Sequence, residues 1–195
     1  MQTAMDNKDL NNLNSSAPQK VQPSVPSGSA SSDLEALKQR WPANSAEGLC
    51  VRRYGDRESF LKNFNPGRQN ELCHPRYVDF IFCGVAPELG VVERAYGRPC
   101  LESWLMIQLA DLQEYFPSQE RLTTQQLEQA AGLIANQFPL MKISEFMYFL
   151  QRVKAGHYGH FYGRLDLIHL TAALQDFQAF SARCTRRIQN ERRLR

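Results

Sequence analysis

A chain of 195 residues, 43% hydrophobic and 22% charged, has the material for one buried core and leaves no room for two large domains, so one globular unit with tails is expected. Its formal charge of +3 is too small to imply a nucleic-acid partner by itself, but six arginines against one acid, Glu191, fall between Arg183 and Arg195 and make that end locally basic. No apolar run approaches the roughly 18 residues of a membrane span, and the N-terminus lacks the charged start and apolar stretch of a signal peptide, which predicts a cytoplasmic protein with no membrane partner.

Residues 1–31 are rich in Asn, Ser, Gln and Pro and lack periodic apolar positions, so a disordered N-terminal tail is expected. Ser32, three residues before Glu35, reads as the cap of a short helix closed by Pro42. SAEGLCVRRYG reads as a short extended piece, DRESFLKNF as a short helix and NPGRQN as a turn. The apolar run YVDFIFCGV fits a strand or a buried helix, and helix or irregular packing is preferred because a lone strand would have unpaired edges. In PELGVVERAYG, Pro87 suits a first helical turn and Gly97 a stop, with Val91, Val92 and Ala95 inward.

From residue 100 the periodicity is plainer. Leu101, Leu105, Leu109, Leu112 and Phe116 form one stripe flanked by Trp104; Leu127, Ala130, Ala131, Ile134 and Phe138 form the next, opened by a capping box of Thr123 and Gln126. Ser144 reads as the cap of a helix carrying Phe146, Phe149, Leu150 and Val153, with Ile143 and Tyr148 as a staple. Asp166 reads as the cap of a last helix carrying Leu167, Leu170, Leu174 and Phe177, extending past Phe180 into the basic end. The fold expected is an all-α, irregular or orthogonal multi-helix bundle with short loops: a single helical domain over 32–182 and a basic C-terminal extension over 183–195.

Between the last two helices lies GHYGHFYG. Gly156, Gly159 and Gly163 suggest backbone angles or close packing that a side chain would obstruct, and Tyr158, Phe161 and Tyr162 are too large for an idle loop, so the connection should be ordered. Lys154, His157, Tyr158, His160, Tyr162 and Arg164 combine charge with aromatic faces, which suits contact with a nucleic-acid backbone or a protein partner. Arg183, Arg186 and Arg187 are the corresponding candidates on the basic end, where each exposed arginine would add salt-sensitive affinity for phosphates. Ile188 and Leu194 are too few for a membrane-surface helix.

Catalytic and metal chemistry find weaker footing. His157 and His160, with Asp166 and His169 nearby, have the right types for metal or proton transfer, but there is no HExxH and no CxxC; turn histidines without a metal are the simpler reading. Cys50, Cys73, Cys83, Cys100 and Cys184 read as free thiols. Cys73 and His74 are adjacent, a poor geometry for a nucleophile and its base, and Glu114, Glu120, Glu128 and Glu145 read as solvated helix faces. GHYGHFYGR lacks the GxxxxGK[ST] and GxGxxG phosphate loops.

Gln125, Gln126, Glu128 and Ala130, together with LMKISEFMYFLQRVKAGHYGHFYGRLD and ALQDF, resemble an uncharacterised family of small helical proteins from Bacteroides-type bacteria and their mobile elements. The resemblance spans about residues 80–183 and is sharpest in a KxGxYGxFYGxxD motif: Lys154, Gly156, Tyr158, Gly159, Phe161, Tyr162, Gly163 and Asp166. His157 and His160 stand where that family tends to have basic or polar residues, which argues against obligatory metal ligands. The resemblance implies a bacterial or mobile-element setting and no transferable activity; the layout is also loosely similar to helicase-loader helical domains. The function expected is a non-enzymatic helical adaptor, in DNA replication or mobile-element maintenance, touching protein or nucleic acid through residues 154–166 and needing no cofactor. The alternatives are a hydrolase or transferase with a non-local His/carboxylate site, and a structural protein with no nucleic-acid site.

Overall fold

The structure, a computed structural model, describes residues 29–116, 121–159 and 165–194. The tail expected over 1–31 lies, as far as residue 28, outside the described residues. The described residues form an irregular all-helical bundle without strands. In chain order the helices are α1 (Ser29–Arg40), α2 (Ala46–Tyr54), α3 (Arg57–Asn63), α4 (Gln69–Leu72), α5 (Val78–Cys83), α6 (Leu89–Tyr96), α7 (Arg98–Tyr115), α8 (Thr124–Gln137), α9 (Ile143–Lys154) and α10 (Leu167–Arg193). Single 3-10 turns at Pro66–Arg68 and Pro75–Tyr77 lead into α4 and α5.

Three local expectations are corrected. Helix α1 begins at Ser29, so Ser32 lies inside it rather than at its cap. SAEGLCVRRYG is helical: Ser45 Oγ accepts from Gly48 N at 3.0 Å, and Cys50 and Val51 are buried on the side that packs against α6. The cap of α9 is Lys142, whose N–H donates to Glu145 Oε2 at 3.2 Å; Ser144 is the buried second residue of the helix, its hydroxyl donating to Ile81 O of α5 at 2.7 Å. With the serine hydroxyl satisfied by a neighbouring helix, the capping contact falls to Glu145, three residues after Lys142.

The apolar run at residues 77–85 forms the helix α5 over Val78–Cys83. Thr123 and Gln126 form their capping box, with Thr123 N donating to Gln126 Oε1 at 2.9 Å and Gln126 N to Thr123 Oγ1 at 3.2 Å. Asp166 Oδ1 accepts from Ile168 N at 2.9 Å and opens α10.

Helix α7 is the central strut, burying Leu101, Trp104, Leu105, Leu109 and Leu112 and packing against α6, α8 and α9. The two halves of the chain are clipped by backbone. Leu89 N and Gly90 N, free amides at the start of α6, donate to Met141 O and Pro139 O at 2.8 Å each, and Ile143 N donates to Pro87 O at 2.9 Å. Helix α10 runs unbroken through the segment read as a basic extension; Ile188 is buried and Arg192 reaches Asp79 on α5 at 3.5 Å. Phe149 and Phe177, with centroids 5.5 Å apart, join α9 to α10 in an aromatic layer that Phe82, Tyr148 and Phe180 extend.

Candidate functional site

The turn after α9 is built by two glycines and one tyrosine. Gly156 N donates to Val153 O at 2.9 Å and His157 N to Arg152 O at 3.0 Å, which satisfies the last carbonyls of the helix. Gly156 and Gly159 have φ of 78° and 85°, and an added Cβ at either would meet none of the described residues within 4 Å. The backbone angle, and not a lack of space, is what calls for glycine there. Tyr158 is half-buried against Phe149, ring centroids 5.5 Å apart, and its carbonyl lies 2.7 Å from His169 Nε2, so that nitrogen carries a proton and ties the turn to α10.

Arg152 is the cation that this turn encloses. Its guanidinium lies 4.5 Å from the ring centre of Phe180, 5.8 Å from Tyr158 and 5.9 Å from Tyr148, and Nε donates to the Tyr158 hydroxyl at 3.3 Å. Burial penalises the charge, and the hydroxyls of Tyr158 and Tyr148 more than offset that, holding the guanidinium above its ordinary range. Among the described residues no carboxylate lies within 4 Å of it.

Lys154, two residues on, heads a relay of buried polar groups. Its Nζ donates to Asp111 Oδ2 at 2.6 Å and to Gln69 Oε1 at 3.0 Å; Gln69 Nε2 donates to Gln108 Oε1 at 2.8 Å; and Gln108 Nε2 donates to Phe64 O at 2.7 Å, a carbonyl that also accepts from Trp104 Nε1 at 2.8 Å. Gln108 is fully buried and Gln69 only 3% exposed, so each amide is fixed by its neighbours before anything binds.

These groups share a cleft of about 620 Å³ between α4, the end of α7 and the end of α9. Lys154 and Arg152 line one side with Tyr148 and His157, Asp111 and Tyr115 stand on α7, and Gln151 Nε2 spans to Asn70 Oδ1 at 2.9 Å. Tyr115 is 56% exposed and its ring centre lies 5.8 Å from Lys154 Nζ. A second groove of about 430 Å³ runs between α8 and α10 and is mainly apolar, with Leu133 and Ile168 on its rim.

Thiol chemistry is suppressed where the cysteines are deepest. Burial pushes Cys50 and Cys73 up to about 12 and Cys100 up to about 11, leaving little thiolate near neutral pH. Glu145 is also raised by burial, against the opposing pull of the Lys142 amide and the Ser181 hydroxyl, which donates to it at 3.0 Å. The described residues contain no group of three or more His, Cys, Asp and Glu suited to hold a metal ion.

Of the residues singled out from sequence, Lys154 and His157 line the cleft, Tyr158 braces its wall, and Gly156, Gly159 and Asp166 shape the turn and the following helix. Arg183, Arg186 and Arg187 are exposed on α10. His160, Phe161, Tyr162, Gly163 and Arg164 lie outside the described residues. The sequence reading passed over Arg152, Gln69, Gln108, Asp111 and Tyr115. A signal existed for two of them: Arg152 follows Tyr148 and Phe149 by one helical turn, and Gln108 follows buried Trp104 by four residues, so each puts a polar group beside an apolar stripe.

Residues 121–193 match the model of DUF6633, a family of unknown function. The chain is similar to DUF6633 over α8, α9 and α10, which include Arg152, Lys154 and the α10 arginines; Gln69, Asp111 and Tyr115 of the facing wall lie outside the matched part. No curated protein and no solved structure matches the chain.

Proposed function

We propose that this chain is a non-enzymatic helical adaptor that contacts nucleic acid through the arginine-bearing C-terminal half of α10. One observation carries the reading. Arg183, Arg186 and Arg187 recur at three- and four-residue spacing on the exposed side of α10, opposite the buried Ile188. Because α10 packs against α5 and buries Ile188, the backbone that carries these arginines is already ordered before binding, and only their side chains remain to be fixed. Phosphates spaced along a strand suit such a row.

A place in DNA replication or mobile-element maintenance would call for this kind of contact. A hydrolase or transferase would draw on His157 and Asp111 in the cleft, but Asp111 already serves as the counter-ion of Lys154. The test is binding of the full chain to single- and double-stranded oligonucleotides as salt is raised. Replacing Arg183, Arg186 and Arg187 together with glutamine should weaken binding whatever the sequence and flatten the salt slope by about three. No binding at about 50 mM salt, or binding indifferent to the triple replacement, would overturn the reading.

A further inference from the structure

We propose that the cleft at the end of α9 is a site for one phosphorylated nucleoside, with Arg152 taking the phosphate and Tyr115 stacking on the base. The inference deepens the nucleic-acid reading above and rests on it for the source of the ligand, a free nucleotide or one unit of a strand.

The cleft's charge is the first ground. Asp111 is spent on Lys154 at 2.6 Å, His157 is its remaining titratable neighbour on the turn, and Arg152 is left as the excess cation. Its Nε is used by the Tyr158 hydroxyl, and the Phe180 ring lies against its charge at 4.5 Å, so the guanidinium is held in place while its two terminal nitrogens stay free of any carboxylate among the described residues. A held fork of donors is what a phosphate or carboxylate oxygen pair fits.

The aromatic wall is the second ground, and it separates a nucleotide from a bare anion. Tyr115 is more than half exposed at the mouth of the cleft, and Lys154, fixed by the buried Gln69 and Gln108 relay, sits beside its ring. An exposed tyrosine next to a fixed cation offers a base a stacking face. Asn70 and Gln151, joined by an exposed bond across the cleft at 2.9 Å, present amide donors and acceptors of the kind that read base edges. The volume of about 620 Å³ is within the range of small-ligand sites.

The experiment titrates the full chain with uridine monophosphate, with inorganic phosphate and with an oligothymidylate, in wild type and in Arg152→Lys, Tyr115→Ala and the α10 triple glutamine variant. The expected result is that the mononucleotide binds more tightly than phosphate, and that Tyr115→Ala and Arg152→Lys each weaken mononucleotide and oligonucleotide by about tenfold. Tyr115 is exposed, so its variant keeps the test valid even where Arg152→Lys loosens the fold. Mononucleotide binding no tighter than phosphate, or indifferent to both cleft variants, overturns the site. If the oligonucleotide depends on the α10 arginines alone and the mononucleotide is indifferent to the cleft variants, the cleft proposal falls and the adaptor reading stands; if the mononucleotide binds through the cleft and the oligonucleotide does not bind, the reverse holds.

Discussion

The guanidinium of Arg152 lies over the ring of Phe180, 4.5 Å from its centre, and this contact fastens the last turn of α9 to the middle of α10. A cation in this place serves two ends: it braces the helix pair, and its residue lines the cleft. Arg152→Met keeps a chain of similar reach and removes the charge, so the loss in stability should be about 1–2 kcal/mol, read from the urea midpoint.

The Gln69–Gln108 pair should behave as one unit. Gln108→Leu removes the acceptor of the Gln69 amide in a fully buried place, and about 1–3 kcal/mol should be lost. Adding Gln69→Leu removes the stranded donor as well, so the double variant should be more stable than the sum of the single losses predicts, which a double-mutant cycle in urea would register.

Glu145 sets a pH dependence of definite sign. Burial raises its carboxyl in the folded chain, so folding favours the protonated form. Its contribution is complete below the ordinary carboxylate range and is lost as pH rises through the folded value. Glu145→Gln should lack that decline, so the gap in melting temperature between variant and wild type should widen in favour of the variant between about pH 4 and pH 7.

Two glycine replacements should go in opposite directions. A Cβ on Gly48 of α2 would stand 2.0 Å from Pro42 O, whereas on Gly132 of α8 its nearest neighbour among the described residues outside the helix backbone would be Glu102 Oε1 at 3.7 Å. Gly48→Ala should therefore destabilise by about 1–3 kcal/mol despite the helix preference of alanine, and Gly132→Ala should stabilise by up to about 1 kcal/mol. Thermal unfolding of the two variants side by side decides it.

The sequence by itself determined the helical class, the four long C-terminal helices, the Thr123–Gln126 and Asp166 caps and the glycine-built turn, because periodicity and capping act over three or four residues and leave their mark in local order. It misread α2 and the cap of α9, where burial against α6 and the Ser144 bond to Ile81 O outweigh local preference. Tertiary structure alone decided the cleft. Lys154 meets Asp111 and Gln69 across 43 and 85 residues of chain, so no local pattern records their meeting. The enclosure of Arg152 likewise needs Phe180 from another helix: a charge flanking an apolar stripe looks solvated until the second helix is packed against it.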